Sequence, residues 1–258
     1  MSPWDSYNAR YTLHGECGRD RAKYNLMNRL THQIPSTLSY HNVDIDGVER
    51  NIVVLNSDNL NQKTLCSLPG EDIRHGAYVE WMNHHWLVTE RDANSEIYTK
   101  CIMLQCNYLL RWINADGEII ERWCIVEDGT KYLVGEFSDA FFVATRGDTR
   151  ISVTLPRDKE TLALGRDARF IIDDYGVNDP LAYRLTKPFK LGGSFDDNGV
   201  FIFVMVECNT EQDDNLELHI ANYYKYFPRE DSEIQENVDN TSLDNEVDND
   251  PPERIGWI

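Results

Sequence analysis

The chain has 258 residues, 41% of them hydrophobic, enough to bury a substantial core and to divide it between two domains. Its 44 acidic residues against 25 basic ones give a formal net charge of -19, which argues against a nucleic-acid-binding module, because phosphates are gripped by cations. No run approaches the roughly 20 apolar residues of a membrane helix, and six scattered cysteines without C-x-x-C spacing imply free thiols in a reducing compartment.

The opening, MSPWDSYNAR, lacks the basic-then-apolar layout of a secretory signal, so the chain is expected to be made and kept in a cytosol. Residues 1–37 read as a helical arm. Within it, RDRAKYNLMNRLTHQ places Leu26, Met27 and Leu30 on one helical face, to pack on its own domain or on a neighbouring subunit.

From Leu38 the pattern changes to period two with turn punctuation. Asp46-Gly47 separates two strand-like runs and is a favoured pair for a type I′ hairpin turn. Pro69-Gly70 follows, then Tyr78 to Trp81 and Trp86 to Thr89 around an Asn83-His84 turn. Two further runs meet across Ala115-Asp116-Gly117, and Asp128-Gly129 introduces KYLVGEF. Short strands joined by hairpin turns predict a small antiparallel β-barrel over residues 38–142.

Residues 143–228 carry a second series of strands, RISVTLPR, ARFIIDD, LAYRLTKPFKL and GVFIFVMVEC, and predict an immunoglobulin-like β-sandwich without the Cys-Trp-Cys spacing of antibody domains. The apolar run from Val200 to Val206 reads as a strand buried on both faces. Residues 229–258 hold ten acidic residues and two arginines, a composition that predicts a flexible tail. At its end, Ile255-Gly256-Trp257-Ile258 reads as an anchor for a partner's pocket. The predicted class is therefore mainly β: arm, barrel, sandwich and acidic tail.

No catalytic residue, metal ligand or cofactor site is predicted. His84 and His85 are the only close histidine pair, but neighbours on a strand face opposite ways and cannot share an ion. Cys101 and Cys106, five apart, read as core thiols. Paired acids at Asp44-Asp46, Asp173-Asp174, Asp196-Asp197 and Asp213-Asp214 fall where aspartate favours turns. The chain lacks a G-x-S-x-G elbow, a P-loop and a G-x-G-x-x-G helix start.

Aromatic density is the outstanding feature. Trp81, Trp86, Tyr108, Trp112, Trp123 and Tyr132 crowd the first domain, and with Trp257 they are the predicted subunit-interface residues, since Trp and Tyr anchor interfaces.

The stretch from PGEDIRHGAYVEWMNHHWLVTERD through MLQCNYLLRWIN to EIIERWCIVEDGTKYLVGE resembles structural proteins encoded by tailed bacteriophages of Gram-positive hosts. WDSYNARYTLHGECGRDR, the PSTLSYHNVDIDGVERNIVVLNSDNLNQKTL run and GDTRISVTLPRD extend the likeness over most of residues 1–228. The resemblance implies a virion protein, assembled in the host bacterial cytoplasm, of the head-closure or head-tail connector type. It implies a homo-oligomeric neck or collar ring in contact with portal, adaptor or tail-terminator rings and with the capsid, through which DNA passes without tight binding. It implies no enzymatic activity, cofactor or membrane. The second domain and the acidic tail depart from the smallest connector rings and leave a different class open, a capsid-decorating or host-surface adhesive module. A hydrolase of unrecognised type is the third reading.

Overall fold

A computed structural model describes residues 2–12, 15, 17–128, 150–173, 180–195 and 197–228. The Gly129 turn, Tyr132 and the acidic tail with Trp257 lie outside the described residues.

The arm consists of α1 (Pro3–Thr12), α2 (Gly18–Gln33) and a short 3-10 turn, Ile34–Ser36. Pro35 opens that turn, where its missing N–H is no loss, and prevents α2 from continuing. Leu26, Met27 and Leu30 lie half-buried, as the spacing predicts, although no residue of α2 is fully buried. Its attachment to the barrel is light. The Met27 methyl lies 3.9 Å from the position of a Cβ at Gly70, and Arg19 and Lys23 both pair with Glu96 in the loop after β5.

Six antiparallel strands close the barrel: β1 (Tyr40–Ile45), β2 (Val48–Asn56), β3 (Gln62–Cys66), β4 (Tyr78–Trp81), β5 (His84–Arg91) and β6 (Lys100–Gln105), in the order β1-β2-β3-β6-β5-β4. Closure is made by β1 against β4, with Asp44 opposite Glu80 and Ile45 opposite Val79. The predicted Asp46-Gly47 turn is present, with both residues at positive φ (53° and 80°) and Asp44 accepting the Gly47 N–H at 2.6 Å. The next hairpin turns at Met82-Asn83, one residue earlier than the sequence suggests, so His84 already belongs to β5, opposite Trp81. Alternate residues point inward, and Val43, Ile45, Ile52, Val54, Leu65, Val79, Trp86, Val88 and Met103 make the barrel core.

The second unit is a single six-stranded antiparallel sheet, nearly closed on itself. Its strands are β7 (Tyr108–Ile113), β8 (Ile119–Asp128), β9 (Arg150–Pro156), β10 (Arg169–Ile172), β11 (Leu181–Phe195) and β12 (Asn198–Cys208), in the order β10-β11-β12-β9-β8-β7. The two edge strands approach each other where the Tyr108 hydroxyl donates to the Ile171 carbonyl at 3.5 Å and accepts the Asp173 N–H at 3.2 Å. Leu110, Trp112, Cys124, Val153, Leu155, Phe170, Phe201, Phe203 and Met205 fill the interior.

Two expectations change. The chain passes from one unit to the other between Gln105 and Tyr108, well before Phe142, because β8 pairs with β9 and so draws the β7-β8 hairpin into the second sheet. Local strand grammar marks a hairpin but does not choose the sheet it joins. On β12, Phe201, Phe203 and Met205 face the core of the sheet, while on the other face Val200 is buried, Ile202 is exposed and Val204 and Val206 are half-buried. The apolar run is therefore buried on both faces only at its Val200 end.

A short helix, α3 (Lys159–Ala163), follows β9, and a last one, α4 (Tyr223–Tyr226), ends the described chain. Asp158 starts α3 with a capping box, its carboxylate accepting the Thr161 N–H at 2.7 Å while the Thr161 hydroxyl accepts the Asp158 N–H at 2.9 Å.

Candidate functional site

The predicted interface aromatics that lie among the described residues do not form one surface. Trp86 is 3% exposed inside the barrel and Trp112 is 4% exposed inside the second sheet, edge-on to Phe170 at 6.2 Å. Trp81 is half-buried against the barrel core, 6.0 Å from Trp86 and 5.4 Å from His41. Tyr108 latches the seam of the second sheet. The cluster is rich because it serves two cores and the junction between them, which a count along the chain cannot separate.

Trp123 holds the junction. Its ring stacks on His85 of β5, centroids 4.3 Å apart and planes 18° from parallel. The neighbouring Tyr78 hydroxyl donates to the Trp123 carbonyl at 2.5 Å. Burial, ahead of the nearby Cys106 and Cys124, drives the Tyr78 phenol far above its ordinary value, so it remains a donor at any physiological pH. Leu87, Cys106, Ile125 and Val200 complete a small apolar cluster shared by both units. The Asn107 amide then pairs with both backbone groups of Val126, at 2.8 Å each, so the two-residue link between sheets is held at its middle.

Beside this junction, Arg74, Tyr78, Glu121, Arg122, Trp123, Pro156, Arg157 and Asp158 line a cleft of about 330 Å³. Each arginine has a carboxylate neighbour. Arg74 makes a forked pair with Asp46, Arg122 meets Asp158 at 2.7 Å, and Arg157 lies 3.6 Å from the fully exposed Asp197. Burial works to raise the Asp158 carboxyl, but the Thr161 N–H and the Arg122 guanidinium outweigh it and hold the group below the usual carboxylate value. The cleft is lined by self-neutralised ion pairs, each made within its own unit.

At the far end of the second sheet is a cavity of about 310 Å³, bounded by Trp112, Ile113, Leu164, Phe170, Ala221 and Tyr226, with Arg169 and Lys225 at its edge. One wall is fixed by a buried ion pair that the sequence did not reveal. The Asp214 carboxylate is wholly enclosed and accepts from Arg169 at 2.7 and 3.2 Å, from the Glu211 N–H at 2.7 Å and from the Asn222 N–H at 2.9 Å. Four donors satisfy the charge and pin residues 209–222 against β10.

His84 is exposed while His85 lies against Trp123, so the two face different surroundings. Cys101 lies in the barrel core and Cys106 in the junction, and burial pushes both thiols up to about 12. Asp44 and Asp46 shape a turn, and among the described residues no group of three His, Cys, Asp or Glu side chains could hold a metal.

In contrast with both cores, every described side chain of α1 is exposed. Trp4, Tyr7 and Tyr11 form one stripe, Tyr7 edge-on to Trp4 at 5.9 Å and stacked on Tyr11 at 5.8 Å, with the Arg21 guanidinium 3.6 Å above Tyr11.

Residues 20–105 match the YomX N-terminal domain family, a range that ends at the last residue of β6 and so takes in most of α2 and the whole barrel. No curated protein and no solved structure matches the chain.

Proposed function

We propose that the protein is a structural component of a tailed-bacteriophage particle, acting in the head-to-tail connector by assembling with copies of itself and with neighbouring rings. The observation that carries this reading is the contrast between two tightly joined β units and an arm whose first helix leaves every described side chain exposed. A ten-residue helix is marginal alone in water, so an exposed aromatic stripe on one calls for a protein partner. The resemblance of the chain to phage structural proteins supports the same class. An acidic net charge suits a ring that must let DNA slide past without holding it.

The test is genetic. Deleting the gene from the phage that encodes it should leave filled heads and free tails that fail to join, and gold-labelled antibody against the protein should mark the neck of complete particles. Joined particles that lack the protein would overturn the proposal.

A further inference from the structure

Trp4, Tyr7 and Tyr11 follow one another at spacings of three and four, which sets them along one face of α1. They are 71%, 56% and 46% exposed, and their rings touch in series, Trp4 on Tyr7 and Tyr7 on Tyr11. The stripe is a continuous aromatic surface that the described part of its own chain leaves uncovered.

Its charge sets it apart from the rest of the molecule. α1 holds one acid, Asp5, near its start and one base, Arg10, near its end, so it is neutral on a chain of formal net charge -19. Two copies of such a chain repel each other, and a neutral helix is where they can approach at least cost. An antiparallel pair also sets the acidic end of each helix beside the basic end of the other. The two ends of the stripe differ in the same complementary way. At one end the Arg21 guanidinium lies 3.6 Å from the centre of the Tyr11 ring, a cation and a ring presented together. At the other end stands Trp4, the ring type that cations favour most. Two stripes laid antiparallel bring each Trp4 to the Tyr11–Arg21 end of its partner, so one match is made twice.

We propose that α1 pairs with α1 of a second copy, the helices antiparallel, the aromatic stripes face to face and Trp4 of each against Tyr11 and Arg21 of the other. The pairing deepens the assembly reading above by naming the partner of the stripe. It is isologous and stops at two copies, so a ring would need another contact besides it. With rings of about 150–250 Å² each, the exposed parts of two stripes bury on the order of 700 Å². That is below the area of a permanent dimer and fits a weak, reversible one.

Sedimentation of the full chain from a few to several hundred micromolar tests the pairing, with benzoylphenylalanine in place of Tyr7 for photocrosslinking. A reversible rise towards twice the 29.9 kDa of one chain is expected. Because the contact is aromatic and the copies are like-charged, association should tighten as salt is raised from about 50 to 500 mM, where their repulsion is screened. Trp4→Ala should weaken the dimer roughly tenfold or more, the loss of an interface anchor, and leave the melting temperature unchanged. In a mixture of isotope-labelled and unlabelled chains, crosslinks from position 7 should join arm to arm between copies. A Trp4→Ala dimer as tight as the parent, association that weakens with salt, or crosslinks between copies that avoid residues 2–21 would each overturn the pairing. A chain that is monomeric at every concentration yet is taken up into particles overturns it too, and leaves the assembly reading standing. Paired chains that particles never take up do the reverse.

Discussion

His85 of the barrel and Trp123 of the second sheet lie face to face, 4.3 Å between ring centroids, and make the aromatic contact that joins the two β units. The joint has a backbone counterpart. Gly199 donates its N–H to the His75 carbonyl at 3.1 Å, and its own carbonyl oxygen lies 2.1 Å from where a Cβ at Gly76 would stand. Gly76 also has φ of 80°, so only glycine allows the two chains to approach this closely.

The first prediction follows from that joint. Trp123→Ala removes a half-buried ring from the shared cluster and should cost about 2–3 kcal/mol, below the roughly 3–5 of a fully enclosed Trp. Calorimetry should then resolve two melting transitions in place of one, because the units retain separate cores. A single transition shifted as a whole would place the coupling elsewhere.

Much of the fold was legible because its signals are local. Asp46-Gly47 announces its turn by composition, and Leu26, Met27 and Leu30 announce α2 by spacing. What was not legible depends on distant partners. Nothing in the β7-β8 hairpin says that β8 will pair with β9, and Arg169 and Asp214 stand 45 positions apart with no pattern to connect them. The aromatic cluster was visible, but its division between two cores required the sheet order. The stripe of α1 was not legible because Trp4, Tyr7 and Tyr11 gain meaning only when the folded arm leaves them exposed, with Arg21 set over Tyr11.

Thiol reactivity is the second prediction. Burial pushes Cys101 and Cys106 up to about 12 and raises Cys124 further, so all three remain protonated as well as enclosed at neutral pH. Cys17 is exposed and Cys66 and Cys208 are partly so. Timed labelling with a maleimide, read by peptide mass, should modify Cys17 first and leave Cys101, Cys106 and Cys124 unmodified until the protein unfolds. Early labelling of Cys124 in the folded protein would contradict the closed second core.

The third concerns acid. Asp158 has a folded value below its unfolded one, so the stability it contributes is present above the ordinary carboxylate value of about 4 and is lost as pH falls through the folded value. Asp158→Ala deletes the α3 cap and the Arg122 pair together. At pH 7 it should destabilise by about 1–2 kcal/mol, the usual loss for a cap. The gap between the two proteins in urea melts should narrow as the pH is lowered below 4, where the native carboxyl takes up its proton. A gap independent of pH would mean that the charge of Asp158 plays no part.

The last prediction addresses the buried pair at the cavity wall. Asp214 is fully enclosed and Arg169 nearly so, and two of the four donors to the carboxylate are backbone N–H groups, of Glu211 and Asn222. Breaking a buried pair by removing one partner typically costs about 3–5 kcal/mol. Asp214→Leu should therefore be costly, since it takes from Arg169 its closest partner, leaving Glu211 at 3.0 Å, and strands both N–H groups. Arg169→Met should also be costly, because the carboxylate then keeps only the two backbone donors. Exchanging both for apolar residues of similar size removes the buried charges at once, and the Arg169→Met, Asp214→Leu double variant should recover part of the loss of Asp214→Leu. It should not recover all of it, because the two backbone donors remain unsatisfied. The signature is thus a double-mutant cycle with strong positive coupling measured by urea unfolding. Additive losses would show that Asp214 acts on the backbone alone and that Arg169 is incidental to holding the cavity wall.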